Sequence, residues 1–172
     1  MNIALIGYRG TGKSVVGREL AKRTGREVVS TDEKIVEKAG TGIPRIVEKH
    51  GWDHFRDIES EVVEELNTRD GIIVDAGGGV IVRDRNTAAL RRNAMVFWLT
   101  ATVDTIVNRI ATDDQRPSLT GKKSFIEEIE EVLEQRTPLY RAAAHHTVDT
   151  DGKTVEDLAE EILDLFETTS DQ

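Results

Sequence analysis

Residues 7–14 carry the chemical pattern that says most about this chain. They read Gly-Tyr-Arg-Gly-Thr-Gly-Lys-Ser, which matches the phosphate-binding loop pattern without deviation. Because Gly10 and Gly12 lack a Cβ atom, consecutive backbone N–H groups can turn inward around the β-phosphate of a nucleotide. The Lys13 ammonium group would reach the β- and γ-phosphates, and the Ser14 hydroxyl group would bind Mg²⁺. The loop therefore predicts that the chain binds ATP or GTP.

The residues on either side of this loop have the order that such a loop requires. Residues 2–6 form a short apolar run suited to a buried strand, and residues 14–24 carry apolar side chains at helical spacing. The positive end of that helix dipole would face the bound phosphate. The sequence of strand, loop and helix argues against a chance match in a glycine-rich turn.

Short apolar runs alternate with helical patterns along the rest of the chain. The remaining strand candidates are residues 27–30, 71–75, 94–99 and 145–148. Between them, apolar residues three and four positions apart indicate helices. This alternation predicts an α/β fold with a five-stranded parallel sheet, helices on both faces and right-handed crossovers. In such a sheet the ligand lies at the carboxyl ends of the strands.

Length, charge and composition limit the classes of function. The 172 residues suit a single domain, expected at residues 1–167, with a flexible tail at residues 168–172. A net charge of −9 argues against nucleic acid or an anionic membrane as a partner, and the absence of cysteine excludes disulfides and thiolate chemistry. The sequence has no signal-peptide or membrane-span pattern. We therefore expect a cytoplasmic monomer that acts on small molecules.

Polar residues and glycines follow the second and third predicted strands. Ser30-Thr31-Asp32 follows the second, and Asp75-Ala76-Gly77-Gly78-Gly79 follows the third. Three successive glycines cost chain entropy, so a close approach of the backbone to a ligand explains them better than a plain turn. Asp75 stands where phosphate-loop enzymes carry the acid that holds Mg²⁺, usually through water. Asp32 either contacts a ligand or caps a helix that begins near Glu33, and both interpretations remain open.

The segment between these strands contains titratable residues that need no special function. His50 and His54 are expected at the surface or already hydrogen-bonded, because no further histidine or cysteine completes a metal site. Arg56 and Glu59, three positions apart, could form an ordinary surface ion pair.

Three arginines accompany a polar loop at residues 113–124 that contains proline and glycine. A loop of this kind over a phosphate site predicts a closing lid, in which Arg109, Arg116 and Arg136 supply positive charge to a transferring phosphoryl group. Because the loop buries little apolar surface, we expect it to be mobile without ligand and ordered when both substrates are bound. Hydrogen exchange in the free protein and in the ternary complex tests this expectation. Equal protection of the segment in both states would contradict it.

Through several further motifs, the chain resembles the shikimate kinases of the nucleoside-monophosphate-kinase-like group. The resemblance covers approximately residues 2–163. Besides the phosphate loop, the matching motifs are Ser30-Thr31-Asp32, Phe55-Arg56-Asp57-Ile58-Glu59, Gly77-Gly78-Gly79, Arg116-Pro117 and Arg136-Thr137-Pro138-Leu139-Tyr140. The resemblance implies a three-layer phosphate-loop kinase fold with a mobile lid. It also implies Mg²⁺ as cofactor and transfer of the γ-phosphate of ATP to the 3-hydroxyl group of shikimate, a step of aromatic amino acid biosynthesis.

The resemblance assigns roles position by position. Lys13, Asp32 and Arg116 would be catalytic, with Asp32 orienting or deprotonating the reacting hydroxyl group. Arg56 and Arg136 would grip the carboxylate of shikimate, because a guanidinium fork suits a planar carboxylate. The implied shikimate contacts are Asp32, Arg56, Gly77, Gly78, Gly79 and Arg136, with Phe55 and Glu59 supporting the pocket. The implied nucleotide contacts are Gly10, Thr11, Gly12, Lys13, Ser14, Val15, Arg116 and, beside the adenine, Arg109.

The chain departs from the family at two positions. The family usually has an acid at the position of Ser30, where it helps to hold Mg²⁺ through water, and a small hydroxyl residue at the position of Asp75. Because the two differences are reciprocal, we hypothesise that Asp75, together with Ser14, takes over much of the metal role. The alternative is that Asp75 caps a turn and the metal is held more weakly.

Two other functions remain compatible with the sequence. One is another small-molecule kinase of the same fold, such as a gluconate or nucleoside-monophosphate kinase. The other is a nucleotide-binding module without transferase activity.

Overall fold

The computed structural model describes residues 1–110 and 125–172. In these ranges the strands are β1 (Asn2–Ile6), β2 (Val28–Ser30), β3 (Ile73–Asp75), β4 (Ala94–Thr100) and β5 (His146–Asp149). They pair in parallel in one sheet of order β2-β3-β1-β4-β5. The predicted five-stranded parallel sheet is confirmed, and every strand overlaps the apolar run that predicted it.

Helices connect successive strands and cover the sheet. They are α1 (Lys13–Thr24), α2 (Thr31–Ala39), α3 (Ile43–Asn67), α4 (Asp84–Asn93), α5 (Val103–Ile110), α6 (Phe125–Ala143) and α7 (Val155–Ser170), with a short 3₁₀ helix at Val80–Val82 before α4. Within the described ranges, no helix has the length and apolar character needed to cross a membrane.

Both faces of the sheet are buried under helices because side chains alternate along each strand. Ile3 and Leu5 of β1 pack with residues of α1 and α7, whereas Ala4 and Ile6 pack with residues of α3, α4 and α6. All of β1 is buried, which explains why this strand reads as an uninterrupted apolar run rather than an alternating one. The predicted arrangement of helices on both faces is confirmed.

The register of β2, β3 and β1 brings their carboxyl ends to one edge of the sheet. Ser30 is paired with Asp75, and Asp75 is paired with Leu5. Beyond the last pair, the N–H group of Ala76 donates to the carbonyl of Leu5 at 3.1 Å. The phosphate loop after β1 and the triple glycine after β3 therefore leave the sheet side by side.

A glycine interrupts α3 and separates it into two helical segments. Gly51 has φ 83° and ψ 171°, a conformation that lies outside the helical region and that other residues rarely adopt. The segment that follows carries Arg56 and Glu59, and both side chains are buried. The break at Gly51 allows the second segment to pack at its own angle, which places these two residues inside the molecule.

The last helix is longer than the sequence predicted. The sequence predicted a flexible tail at residues 168–172, and in the structure α7 continues to Ser170. The Ser170 hydroxyl group donates to the carbonyl of Phe166 at 2.6 Å, and Thr169 Oγ1 lies 3.1 Å from Nε2 of His146. These side-chain contacts hold the last turn, and composition alone does not reveal them.

Candidate active site

A cleft of about 530 Å³ opens at the carboxyl ends of β1, β2 and β3. It brings together most of the residues that the sequence predicted for nucleotide, metal and acceptor. Of these, the cleft is lined by Gly10, Gly12, Lys13, Ser14, Val15, Asp32, Asp75, Gly77, Gly78 and Arg109. The predicted location of the ligand, at the carboxyl edge of a parallel sheet, agrees with this position.

The phosphate loop is closed around the ammonium group of Lys13. Its Nζ atom donates to the carbonyls of Gly7 at 2.7 Å and Tyr8 at 3.0 Å. Gly10 has a φ of +84°, and a Cβ atom there would lie 2.6 Å from Cγ2 of Ile110. The loop therefore needs glycine at position 10 for both conformation and space, and the lysine holds the loop in shape before any ligand binds.

Thr11 differs from the other predicted nucleotide contacts. Its side chain is buried, and its hydroxyl group donates to the carbonyl of Tyr8 at 2.8 Å. Thr11 does not line the cleft, so its side chain stabilises the loop through this hydrogen bond and does not face the ligand.

Ser14 and Asp75 are in direct contact at the floor of the cleft. The Ser14 hydroxyl group donates to Oδ2 of Asp75 at 2.6 Å. The pKa of Asp75 is raised above its usual value because the effect of burial exceeds the lowering by the Ser14 hydrogen bond and by the positive charge of Lys13. The Asp75 carboxylate therefore lies directly beside Ser14, at the end of the phosphate loop.

These two oxygens fit a magnesium ion. Mg²⁺ prefers oxygen ligands and is commonly held by one or two protein groups together with substrate phosphates and water. Across residues 1–110 and 125–172, no cluster of three or more His, Cys, Asp or Glu side chains forms a separate metal site. His50 and His54 accordingly remain exposed, with ring centroids 4.7 Å apart.

Ser30, not Asp32, caps the helix after β2. The Ser30 hydroxyl oxygen accepts a hydrogen bond from the N–H group of Glu33 at 3.2 Å, and α2 begins at Thr31. The interpretation of Asp32 as a helix cap is therefore wrong. Asp32 lies within the first turn, on the wall of the cleft.

The triple glycine makes room for the acceptor-side residues. A Cβ atom on Gly77 would lie 2.6 Å from Oδ1 of Asp32, and one on Gly79 would overlap the Arg56 guanidinium group. At Gly78, Nη1 of Arg136 would be 3.6 Å away. None of the three glycines has a positive φ, so space rather than backbone conformation requires them.

Arg56 and Glu59 form a buried pair, so the expectation of an ordinary surface pair is wrong. Arg56 Nη1 donates to Glu59 Oε1 at 2.9 Å, and the residues are 7% and 0% exposed. The rings of Trp52 and Phe55 flank the guanidinium carbon at 5.5 Å and 5.1 Å. Since burying two charges offsets much of their attraction, this pair is better explained by positioning Arg56 than by stability.

Arg136 is also nearly buried, one helical turn before Tyr140 on α6. The Tyr140 hydroxyl group donates to the carbonyl of Gly78 at 2.5 Å, and burial raises the pKa of Tyr140 to about 12. The Tyr140 ring stacks on Trp98 with centroids 5.7 Å apart. Tyr140 thus fixes Gly78 beside Arg136. The sequence did not predict this role, although Tyr140 belongs to the same motif as Arg136.

The remaining predicted arginines have different outcomes. Arg109 donates from Nη1 to the carbonyl of Gly10 at 3.0 Å and lies at the rim of the cleft. Arg116 and the predicted lid at residues 113–124 lie outside the described residues. Arg9 also lines the cleft, and sequence reasoning missed it because its position in the loop pattern accepts any residue.

Comparisons with known proteins agree with this geometry. A family model described as shikimate kinase matches residues 9–167. A shikimate kinase from Dehalococcoides mccartyi is 38% identical over 172 residues, covering 98% of this chain and 97% of that protein. Another from Nitratidesulfovibrio vulgaris is 40% identical over 153 residues, covering 87% of each.

Solved structures were compared with the chain as well. The structure of shikimate kinase from Acinetobacter baumannii in complex with shikimate has a TM-score of 0.92 and 37% identity, with 98% of this chain and 93% of that one covered. A gluconokinase from Sinorhizobium meliloti has a TM-score of 0.61 and 17% identity, with 99% of this chain and 93% of that one covered, which shows the fold alone. The chain belongs to the shikimate kinase family.

Proposed function

We propose that this protein transfers the γ-phosphoryl group of ATP to the 3-hydroxyl group of shikimate. The observation that carries the proposal is that one cleft is lined by Lys13 of the phosphate loop together with Asp32 and the first two glycines of the triple glycine. A nucleotide phosphate on the loop would therefore lie next to an acceptor held by Asp32. Family membership identifies shikimate as the first acceptor to test.

The transfer requires one bond to break and one to form. The bond between the γ-phosphorus and the bridging oxygen breaks and leaves ADP, while the acceptor hydroxyl oxygen bonds to the phosphorus. The proton of that hydroxyl group passes to the carboxylate of Asp32, which acts as general base. Lys13 neutralises charge that develops on the transferring group and the leaving oxygen.

Ser14 and Asp75 would hold Mg²⁺, Asp75 by way of a water molecule. The ion held there would supply positive charge that offsets the negative charge of the nucleotide phosphates. Arg109, whose guanidinium group is tied to the Gly10 carbonyl, would flank the adenine, and Arg116 would approach the γ-phosphate.

Arg56 and Arg136 would hold the acceptor carboxylate. Both side chains lie beside consecutive glycines, Gly79 and Gly78 respectively, so that their guanidinium groups project over the same short stretch of backbone. Each fork can donate two parallel hydrogen bonds to a carboxylate. Glu59 fixes the orientation of the Arg56 fork through its 2.9 Å contact.

Arg56→Lys and Arg136→Lys are each expected to raise the KM for shikimate by about ten- to hundredfold, because a point ammonium cannot replace a two-bond fork. The affinity for ATP should stay within about twofold of the parent protein. Arg83→Lys is the matched control, since Arg83 pairs with Asp57 at the surface. Steady-state kinetics and nucleotide titration measure both quantities. Loss of nucleotide affinity with an unchanged KM for shikimate would contradict the carboxylate assignment.

An ADP-release assay with a panel of acceptors tests the proposed function. The panel contains shikimate, gluconate, other hydroxy acids, sugars and nucleoside monophosphates, and the phosphorylated product is identified by mass. We expect turnover with shikimate alone. Turnover with gluconate or a nucleoside monophosphate instead would identify another kinase, and ATP binding without any phosphorylated product would identify a binding module.

A further inference from the structure

Arg9 lies where the nucleotide side of the cleft meets the acceptor side. It is the third residue of the phosphate loop and directly precedes Gly10, where the backbone cradle for the β-phosphate begins. Its backbone nitrogen is 3.5 Å from the position that a Cβ atom of Gly78 would occupy. Gly78 in turn faces Arg136, so Arg9 stands between the loop and the acceptor-binding residues.

One end of the Arg9 guanidinium group lacks a hydrogen-bond acceptor within the described part of the chain. Within residues 1–110 and 125–172, its Nη1 atom is fully covered by protein and makes no hydrogen bond. A buried N–H group without a partner is destabilising, so such groups in native proteins require an explanation. The side chain as a whole is partly exposed, and Arg9 lines the cleft.

Three other cations near the cleft donate to acceptors within the protein. Lys13 donates to two carbonyls of the loop, Arg109 to the carbonyl of Gly10, and Arg56 to Glu59. These contacts fix each of the three groups in one direction. Arg9 differs from them because its Nη1 atom makes no hydrogen bond within the described residues.

From its place and its donors, we propose that Arg9 binds the phosphate group of the phosphorylated acceptor. This assignment rests on the proposed function and extends it to the product. A phosphate monoester carries two negative charges at neutral pH and presents three acceptor oxygens, which suits a guanidinium fork. The carboxylate end of the acceptor is assigned to Arg56 and Arg136, so Arg9 acts at the opposite end of the bound molecule.

Calorimetric titration with shikimate 3-phosphate and with shikimate, both without nucleotide, isolates the phosphate contact. Arg9→Met should weaken binding of shikimate 3-phosphate by about ten- to hundredfold and change binding of shikimate by less than about twofold. Arg9→Lys keeps the charge but not the fork, so it should lose less than Arg9→Met. Arg85→Met is the control, because Arg85 is exposed on α4, away from the cleft.

Two further readouts separate this role from a structural one. Because Arg9 makes no internal hydrogen bond at Nη1, Arg9→Met should keep the thermal midpoint within about 2 °C of the parent protein. Equal losses for both ligands, or unchanged affinity for shikimate 3-phosphate, would overturn the assignment. A parent protein that binds neither ligand would overturn the proposed function itself, and the assignment with it.

Discussion

Replacing Lys13 with alanine is expected to lower kcat by at least about a hundredfold. The reason is that the ammonium group neutralises the β- and γ-phosphate oxygens as charge develops on them in the transition state. In this structure the Lys13 ammonium group also has a structural role, because its hydrogen bonds to the Gly7 and Tyr8 carbonyls hold the loop closed. The substitution should therefore weaken ATP binding as well, since the loop would no longer be fixed before binding.

The matched control is Lys22→Ala on the same helix, because Lys22 is exposed and has no place in the cleft. ADP release with saturating substrates measures kcat, and nucleotide titration measures the loss of ATP affinity. Thermal unfolding of both variants shows whether the fold is retained. If Lys13→Ala kept activity within about tenfold of the parent protein, phosphoryl transfer at this loop would be the wrong mechanism.

The sequence was sufficient for features that are encoded locally. The phosphate loop occupies contiguous residues, and its neighbours Asn2–Ile6 and Lys13–Thr24 form the strand and the helix that such a loop needs. The parallel sheet followed from the alternation of short strand candidates with helical patterns along the chain. These inferences needed no knowledge of which residues meet across the fold.

Features that depend on tertiary contacts were harder to predict. Arg56 and Glu59 have a spacing that occurs both at surfaces and in cores, and the rings of Trp52 and Phe55 that lie beside Arg56 become evident only in the folded chain. Ser30 and Asp32 are both good capping residues. Which of them caps α2 depends on whether the helix begins at Thr31 or near Glu33. The sequence does not locate the start of the helix to within two residues.

The glycine run shows a partial success. The sequence predicted a close approach to its backbone, and the structure has one, but the approaching groups in the structure are the side chains of Asp32, Arg56 and Arg136. Only the family resemblance grouped these three side chains with the glycines, because they come from three different helices, α2, α3 and α6. Tyr140 illustrates the same limit, since its contact with the Gly78 carbonyl joins residues 62 positions apart.

Asp75→Ser is expected to raise the concentration of Mg²⁺ required for half-maximal activity by about ten- to hundredfold, the usual effect of losing a partner that orients a metal's ligands. Asp75 accepts the hydrogen bond of the Ser14 hydroxyl group at 2.6 Å, so it lies beside the residue that would bind the metal directly. A carboxylate there also attracts a divalent cation far more strongly than a hydroxyl group would.

The register of the sheet explains how the acid could have changed strands. Ser30 and Asp75 are paired at the ends of the adjacent parallel strands β2 and β3, and both line the cleft. A carboxylate side chain at either position is therefore attached to the backbone at the same edge of the sheet. We expect Ser30→Ala to leave the Mg²⁺ requirement nearly unchanged, although it removes the cap of α2 and should cost about 1 kcal/mol of stability.

The double variant Ser30→Asp with Asp75→Ser restores the arrangement usual in the family, and it should recover much of the loss. Aspartate is as good a helix cap as serine, so the exchange keeps α2 capped and isolates the metal effect. Mg²⁺ titrations of activity in the parent protein, Asp75→Ser, Ser30→Ala and the double variant measure the requirement. Binding of Mn²⁺ in the presence of ATP, followed by electron paramagnetic resonance, gives a readout independent of turnover. An unchanged titration for Asp75→Ser, or no recovery in the double variant, would mean that the acid on β3 does not replace the one absent from β2.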